Sequence, residues 1–149
     1  MLTVDYAGTI LRSIDVVSRQ FGDIRHHAAN RVHPAITFTI ISVDGETSHF
    51  TQSVRLLGMP QVDEVVQRRQ PDGTLVAEVV SGVNKGMRLV QSFARHGASE
   101  TAVRLELSIP LRGVKRLLKP LFAVAARRTM ATAFEEDRVD LEERGYPRG

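Results

Sequence analysis

The chain has 149 residues, a length suited to one domain, and its 42% apolar content is enough to fill one core. With 5% aromatics and no Trp, that core must be built mainly from Val, Leu, Ile and Ala. The absence of Cys excludes disulfides, thiolate nucleophiles and Cys-bound metals, and a net charge of +3 is too mild to argue for nucleic acid.

The first residues show no basic region followed by an apolar run, and no apolar run approaches the roughly 20 residues that cross a bilayer. A cytoplasmic protein is expected. Leu2, Val4 and Tyr6 alternate with Thr3 and Asp5, which predicts a strand over 1–9. A helical stretch follows, with Ser13 as N-cap and Val16, Val17, Gln20, Phe21 and Ile24 close to one face. Gly22 interrupts it, so one helix or two short ones are expected. Residues 26–34 read as a polar connection ending at Pro34, where an X-Pro pair favours extended backbone.

From Ala35 to Pro110 turn residues recur at Asp44-Gly45, Gly58-Met59-Pro60, Pro71-Asp72-Gly73, Asn84-Lys85-Gly86 and His96-Gly97-Ala98-Ser99. Six runs of strand length lie between them, and short loops imply an antiparallel meander. In the last run Val103, Leu105, Leu107 and Ile109 alternate with Arg104, Glu106 and Ser108, the pattern of a sheet covered on one side. For the first hairpin, a three-residue loop at Val43-Asp44-Gly45 pairs Phe38 with Phe50. It puts Ile36, Ile40, Val54 and Leu56 on the same face.

The segment from Lys119 to Arg144 predicts a long helix, with Pro120 at a first-turn position and Gly145 and Pro147 as stop signals. Phe122, Ala126, Met130, Ala133, Phe134 and Leu141 form one apolar stripe, and Asp137 falls near it. Asp137 there is expected to cap a loop or reach solvent. Residues 112–128 carry six basic and no acidic side chains, whereas 135–143 carry six acidic ones and Arg138. That order opposes the helix dipole. Pairing of these arginines with the acidic end or the sheet rim is favoured over contact with an anionic membrane.

The order strand, short helices, six-strand meander, long helix resembles the START/birch-pollen-allergen superfamily (SRPBCC), especially its bacterial polyketide cyclase/dehydratase-like members. The resemblance covers nearly the whole chain, 1–149. It rests on that order, on Gly82-Val83-Asn84-Lys85-Gly86 leading to a strand with Phe93, and on Thr101 opening the last strand. The terminal run Leu117-Leu118-Lys119-Pro120-Leu121-Phe122 leading to Glu135-Glu136-Asp137 and Leu141 carries it too. It implies an α+β helix-grip fold: a seven-stranded antiparallel sheet curled around a long C-terminal helix, with two short helices after the first strand. It also implies a cavity between sheet and helix, for lipids, polyketides or aromatic molecules. It carries no invariant catalytic residue.

The expected function is binding or carrying a small, largely apolar ligand, with a polyketide cyclase/dehydratase-like enzyme as the alternative. Nucleotide and catalytic signatures such as G-x-G-x-x-G, H-E-x-x-H and G-x-S-x-G are absent. Four of five histidines lie between His26 and His49. His33, just before the first meander strand, is the candidate general acid/base, against a reading of solvent-exposed loop histidines. No carboxylate nearby is spaced to complete a metal set, so neither metal nor cofactor is expected. Gln91 shares parity with Leu89 and Phe93 and would put an amide on an apolar wall. Ala126, Thr129 and Ala133 form a small-residue strip beside Met130 that leaves ligand volume or a packing seam. The expected ligand-binding set is Phe38, Phe50, Gln91, Phe93, Ala126, Thr129, Met130 and Ala133. Partners are a small apolar ligand and no nucleic acid, with a monomer or homodimer.

Overall fold

The computed structural model describes residues 1–56 and 59–147, with the side chains of residues 55 and 56 left aside. The elements are β1 (Leu2–Ile10), α1 (Ile14–Gly22), α2 (Ile24–Asn30), β2 (Ile36–Asp44), β3 (Thr47–Leu56), β4 (Met59–Arg69), β5 (Leu75–Gly82), β6 (Arg88–Arg95) and β7 (Thr101–Ile109). A short 3-10 helix (Gly113–Leu118) then leads into α3 (Lys119–Glu142). The seven strands form one antiparallel sheet in the order β1-β7-β6-β5-β4-β3-β2, a meander whose first strand returns to pair with the last. This is the helix-grip arrangement, with α3 lying against the inner face.

The two-residue period decides which face is inner. In β7, Val103 and Leu105 are buried and Leu107 and Ile109 pack on the same core. Arg104 lies on the wet face, 3.5 Å from Asp5 and 3.9 Å from Glu106.

The first hairpin corrects one expectation. Asp44 pairs with Thr47, so the loop is the two residues Gly45-Glu46, with Gly45 at φ 57°. A bulge between Ile40 and Ser42 absorbs Ile41, and Phe38 opposes Gln52 while Ile40 opposes Phe50. The bulge takes up the residue that a three-residue loop would have used. Before the bulge the strand slips by two relative to the expected pairing, which preserves the faces of Ile36, Phe38 and Ile40; beyond it the slip is three, and Val43 joins the core side. Phe38 and Phe50 therefore still meet on the inner face, edge to face at 5.7 Å, with Phe50 buried and Phe38 half-buried. The expected positions of Gly58 and of the Leu56 side chain lie outside the described residues.

A second correction concerns residues 26–34. His26 to Asn30 are helical rather than a polar connection. Asp23 ends α1 and caps α2, its carboxylate accepting a hydrogen bond from the His26 N–H at 3.1 Å. An Asp cap satisfies one of the free N–H groups at the helix start, so even seven residues hold a helix here.

α3 buries Met130, Phe134, Asp137, Asp140 and Leu141. Gly8 of β1 makes this approach feasible: a Cβ there would lie 2.5 Å from Cζ of Phe134. The C-terminal end is tied down from several elements. Tyr146, 2% exposed, donates its hydroxyl to Asp23 Oδ2 at 2.7 Å. Arg12 donates to the carbonyls of Leu141 and Tyr146, and its own carbonyl accepts from Thr101 Oγ1. These bonds fix the acidic end of α3 against α1 and α2.

Candidate functional site

That anchoring brings three short pieces of sequence together. α2 presents His26 and His27, which point about 100° apart because they are adjacent on a helix. Each finds its own aspartate on α3, one turn apart. His26 Nε2 lies 2.7 Å from Asp140 Oδ2, and His27 Nε2 lies 2.8 Å from Asp137 Oδ1. Gln20 of α1 bridges the two carboxylates, its Nε2 donating to Asp137 at 3.0 Å and to Asp140 at 2.9 Å. His33, in the turn before β2, completes the group, with Nδ1 2.9 Å from Glu136 Oε1 and Nε2 3.5 Å from Asp137 Oδ2.

The site is largely desolvated, and the charges are strongly coupled. Burial pulls the His33 imidazole down, but the hydrogen bond and charge of Asp137, reinforced by Glu136, push it up to about 9. Burial pushes Asp137 up, and His27 and His33 together hold it well below the usual carboxylate range. The Tyr146 hydroxyl is raised by burial and by its bond to Asp23.

His27, His33 and Asp137 line a cavity of about 230 Å³ that lies between α3 and the sheet and is bordered by Phe21 and Ile24. Its remaining wall is mostly apolar: Phe38, Phe50, Val65, Leu105, Met130 and Phe134, with Ala133 and Thr129 on the helix side. Gln91 is buried within it, its Nε2 3.4 Å from Gln67 Oε1. A second, outer chamber of about 570 Å³ shares Leu107 and Thr129 with the first and runs toward Asn84, Pro110 and Phe122.

Of the candidates named from sequence, His33, Phe38, Phe50, Gln91, Thr129, Met130 and Ala133 converge on the inner chamber. Ala126 lines the outer one. Phe93 stands outside both and packs edge-on against Phe21 at 5.3 Å, because β6 presents it to α1. His27 and Asp137 were not chosen from sequence, and the expected solvent-exposed histidines are in fact buried or partner-bound. The signal for Asp137 was its place on the apolar stripe of α3. The carboxylate that local spacing failed to supply comes from the other end of the chain.

The basic stretch also departs from expectation. Arg138 pairs with Glu135, Glu142 and Glu143. Among the described residues none of Arg112, Lys115, Arg116, Lys119, Arg127 or Arg128 makes an ion pair. Val114, Leu117, Leu121 and Val124 beside them are exposed.

No family model matches the sequence, and no curated protein matches it. Solved structures do. TTHA0849 from Thermus thermophilus superposes with a TM-score of 0.79 at 13% identity, covering 91% of this chain and 94% of that one. The Zhui aromatase/cyclase from Streptomyces sp. R1128 gives 0.75 at 12% identity, covering 96% and 97%. A START superfamily protein from Mycobacterium smegmatis gives 0.74 at 16% identity, covering 93% and 98%. What these proteins share with the chain is the fold, a helix-grip α+β architecture. The fold resembles that of the aromatase/cyclase and START superfamily structures. No helix among the described residues is long and apolar enough to cross a membrane.

Proposed function

We propose that the chain binds a small, largely apolar molecule between α3 and the sheet, with one polar end of that molecule against His27, His33 and Asp137. The observation that carries this reading is the inner chamber, mostly apolar, with its ionisable groups His27, His33 and Asp137 gathered together and only the amides Gln52, Gln67 and Gln91 and the Thr129 hydroxyl as further polar lining. Ligand pockets usually measure about 300–1,000 Å³, so the inner chamber of about 230 Å³ takes one compact ring system. A longer ligand would extend past Thr129 into the outer chamber. Burial of apolar surface supplies affinity, and the polar pole orients the ligand.

A second reading, a polyketide cyclase/dehydratase-like enzyme rather than a carrier, is favoured by a specific observation. Three ionisable groups converge where the ligand would end, whereas carriage alone needs only one or two orienting groups. In that reading His33 is the general acid/base acting on a proton next to a carbonyl, and the chamber folds the substrate.

The test is native mass spectrometry of the protein purified from its own host, together with NMR titration by 2-naphthol, a compact ring system with one hydroxyl. A retained small molecule, or saturable shifts at Ala133, Thr129 and Phe50, supports the binding reading. No adduct and no shift at these residues overturns it. For the catalytic reading, His33→Ala lowers turnover of an identified substrate by about 10²-fold or more. Unchanged turnover removes His33 from the chemistry.

A further inference from the structure

We propose that His27, His33 and Asp137 form a binding site for one divalent transition-metal ion, with its open positions facing the inner chamber. Their candidate ligand atoms, one from each residue, all lie within 4.8 Å of one another, and all three residues are buried. Proximity alone is weak support, because histidines and aspartates also meet in ordinary ion pairs. The hydrogen-bond roles around the cluster supply the independent support.

His27 Nδ1 lies 2.9 Å from the backbone carbonyl of Asp23, which can only accept. Nδ1 therefore carries the proton, and in the neutral ring the Nε2 lone pair points at Asp137. Asp137 Oδ1 also only accepts, so two lone pairs face each other at 2.8 Å. His33 repeats the pattern. Its Nδ1 faces the Glu136 carboxylate at 2.9 Å, which fixes one proton there and turns Nε2 toward Asp137 Oδ2, where a metal ion would take the place of the ring's second proton. Both rings are thus held from behind, with their inner nitrogens aimed at one carboxylate. Something positive must lie between them, a proton or a metal cation. An outer acceptor behind each histidine, and a hydrogen bond holding the carboxylate, are what metal-ligating residues have. Gln20 supplies the latter at 3.0 Å from Asp137 Oδ1.

His26 makes the contrast. Its Nε2 donates to Asp140 and its Nδ1 accepts from Asn30 at 3.0 Å, so a neutral ring there is complete without any cation. Two imidazoles and one carboxylate suit Zn²⁺, Fe²⁺ or Co²⁺ and suit Mg²⁺ or Ca²⁺ poorly, since those prefer all-oxygen shells. Three protein ligands leave positions open for water or a ligand oxygen, the mark of a reactive site rather than a structural one. Occupancy of the ion does not depend on the apolar-ligand reading. Only the completion of its shell by a ligand oxygen rests on that reading. With the ion in place, His33 is a ligand and not a base.

The probe is Co²⁺ added to the chelator-treated full chain, followed by visible absorption and equilibrium dialysis, with Zn²⁺ as competitor. The expected result is about one Co²⁺ per chain, displaced by Zn²⁺. His27→Gln, His33→Gln and Asp137→Asn should each weaken it by about 100-fold or more. Glu136→Gln, which removes only the support behind His33, should cost about 10-fold, and surface His96→Gln nothing. Where a triad variant fails to fold, paramagnetic broadening in the unmodified protein decides. The ring signals of His27 and His33 should broaden first and those of His96 should not. No uptake, uptake unchanged in folded His27→Gln, or broadening centred elsewhere overturns the proposal. If 2-naphthol shifts persist without metal uptake, the metal site fails and the binding reading survives. Uptake without naphthol shifts gives the converse.

Discussion

His27 and Asp137 stand 110 residues apart in the chain and 2.8 Å apart in the fold. The pair joins α2 to the buried end of α3. Because Gln20 and His33 share the same carboxylate, it is also the hinge of the polar pole. Asp137→Ala should therefore cost more than an ordinary core change. It leaves His27 and the Gln20 amide buried without a common acceptor, and breaking such a buried pair typically costs about 3–5 kcal/mol. Urea denaturation of the metal-free protein measures this. A loss below about 1 kcal/mol would show that the site is held by its surroundings rather than by Asp137.

The stability of the chelator-treated protein should fall on both sides of a mildly acidic window. His33 is raised to about 9 in the folded chain against an ordinary 6.5. A raised histidine contributes fully below its unfolded value, so this contribution is present below about 6.5 and disappears as the pH rises through about 9. The groups facing it are His27 from α2 and Glu136 and Asp137 from α3. Asp137 is depressed, so its contribution is present above about 4 and is lost as the pH falls further. Denaturation midpoints from pH 3 to 10 check both limbs, and His33→Gln should flatten the alkaline one. An unchanged alkaline limb in that variant would assign it to another group.

Ala133→Phe should fill chamber volume rather than strain the helix. Ala133 lines the inner chamber, so the added ring gains contacts without displacing packed atoms. Naphthol binding should drop sharply while the melting temperature moves little. Overpacking a closed seam would instead cost about 1–3 kcal/mol. A melting temperature several degrees lower in the ligand-free variant would mean that the helix closes on the sheet at this point.

Gly8→Ala should destabilise by about 1–3 kcal/mol, an overpacking cost, because its Cβ would meet the Phe134 ring at 2.5 Å. Phe134→Leu should cost less in the Gly8→Ala background than alone, since the shorter side chain relieves the contact. Additive losses in a double-mutant cycle would show that the two positions do not press on each other.

The sequence by itself determined the architecture. Strand alternation in Val103 to Ile109, turn residues between the runs, Gly22 breaking the first helix and the apolar stripe of α3 are all local, and local periodicity assigns faces. Of its expected ligand-contacting residues, strand parity puts Phe38, Phe50 and Gln91 and helical periodicity puts Met130 and Ala133 on the chamber wall, whereas Phe93, of the same parity as Gln91, packs on Phe21 instead. It failed where a residue answers to a distant partner. The Phe38 pairing depended on a bulge at Ile41 that no local pattern marks. The helical state of His26 to Asn30 had one local signal, the Asp23 cap, and its distant support comes from aspartates contributed by α3. The histidine cluster could not be matched with its carboxylate because Asp137 reaches it only when α3 folds back across the sheet. Residue types and their spacing fix faces within an element. Which faces meet is decided by packing between elements, and the polar pole of this chamber exists only at such a meeting.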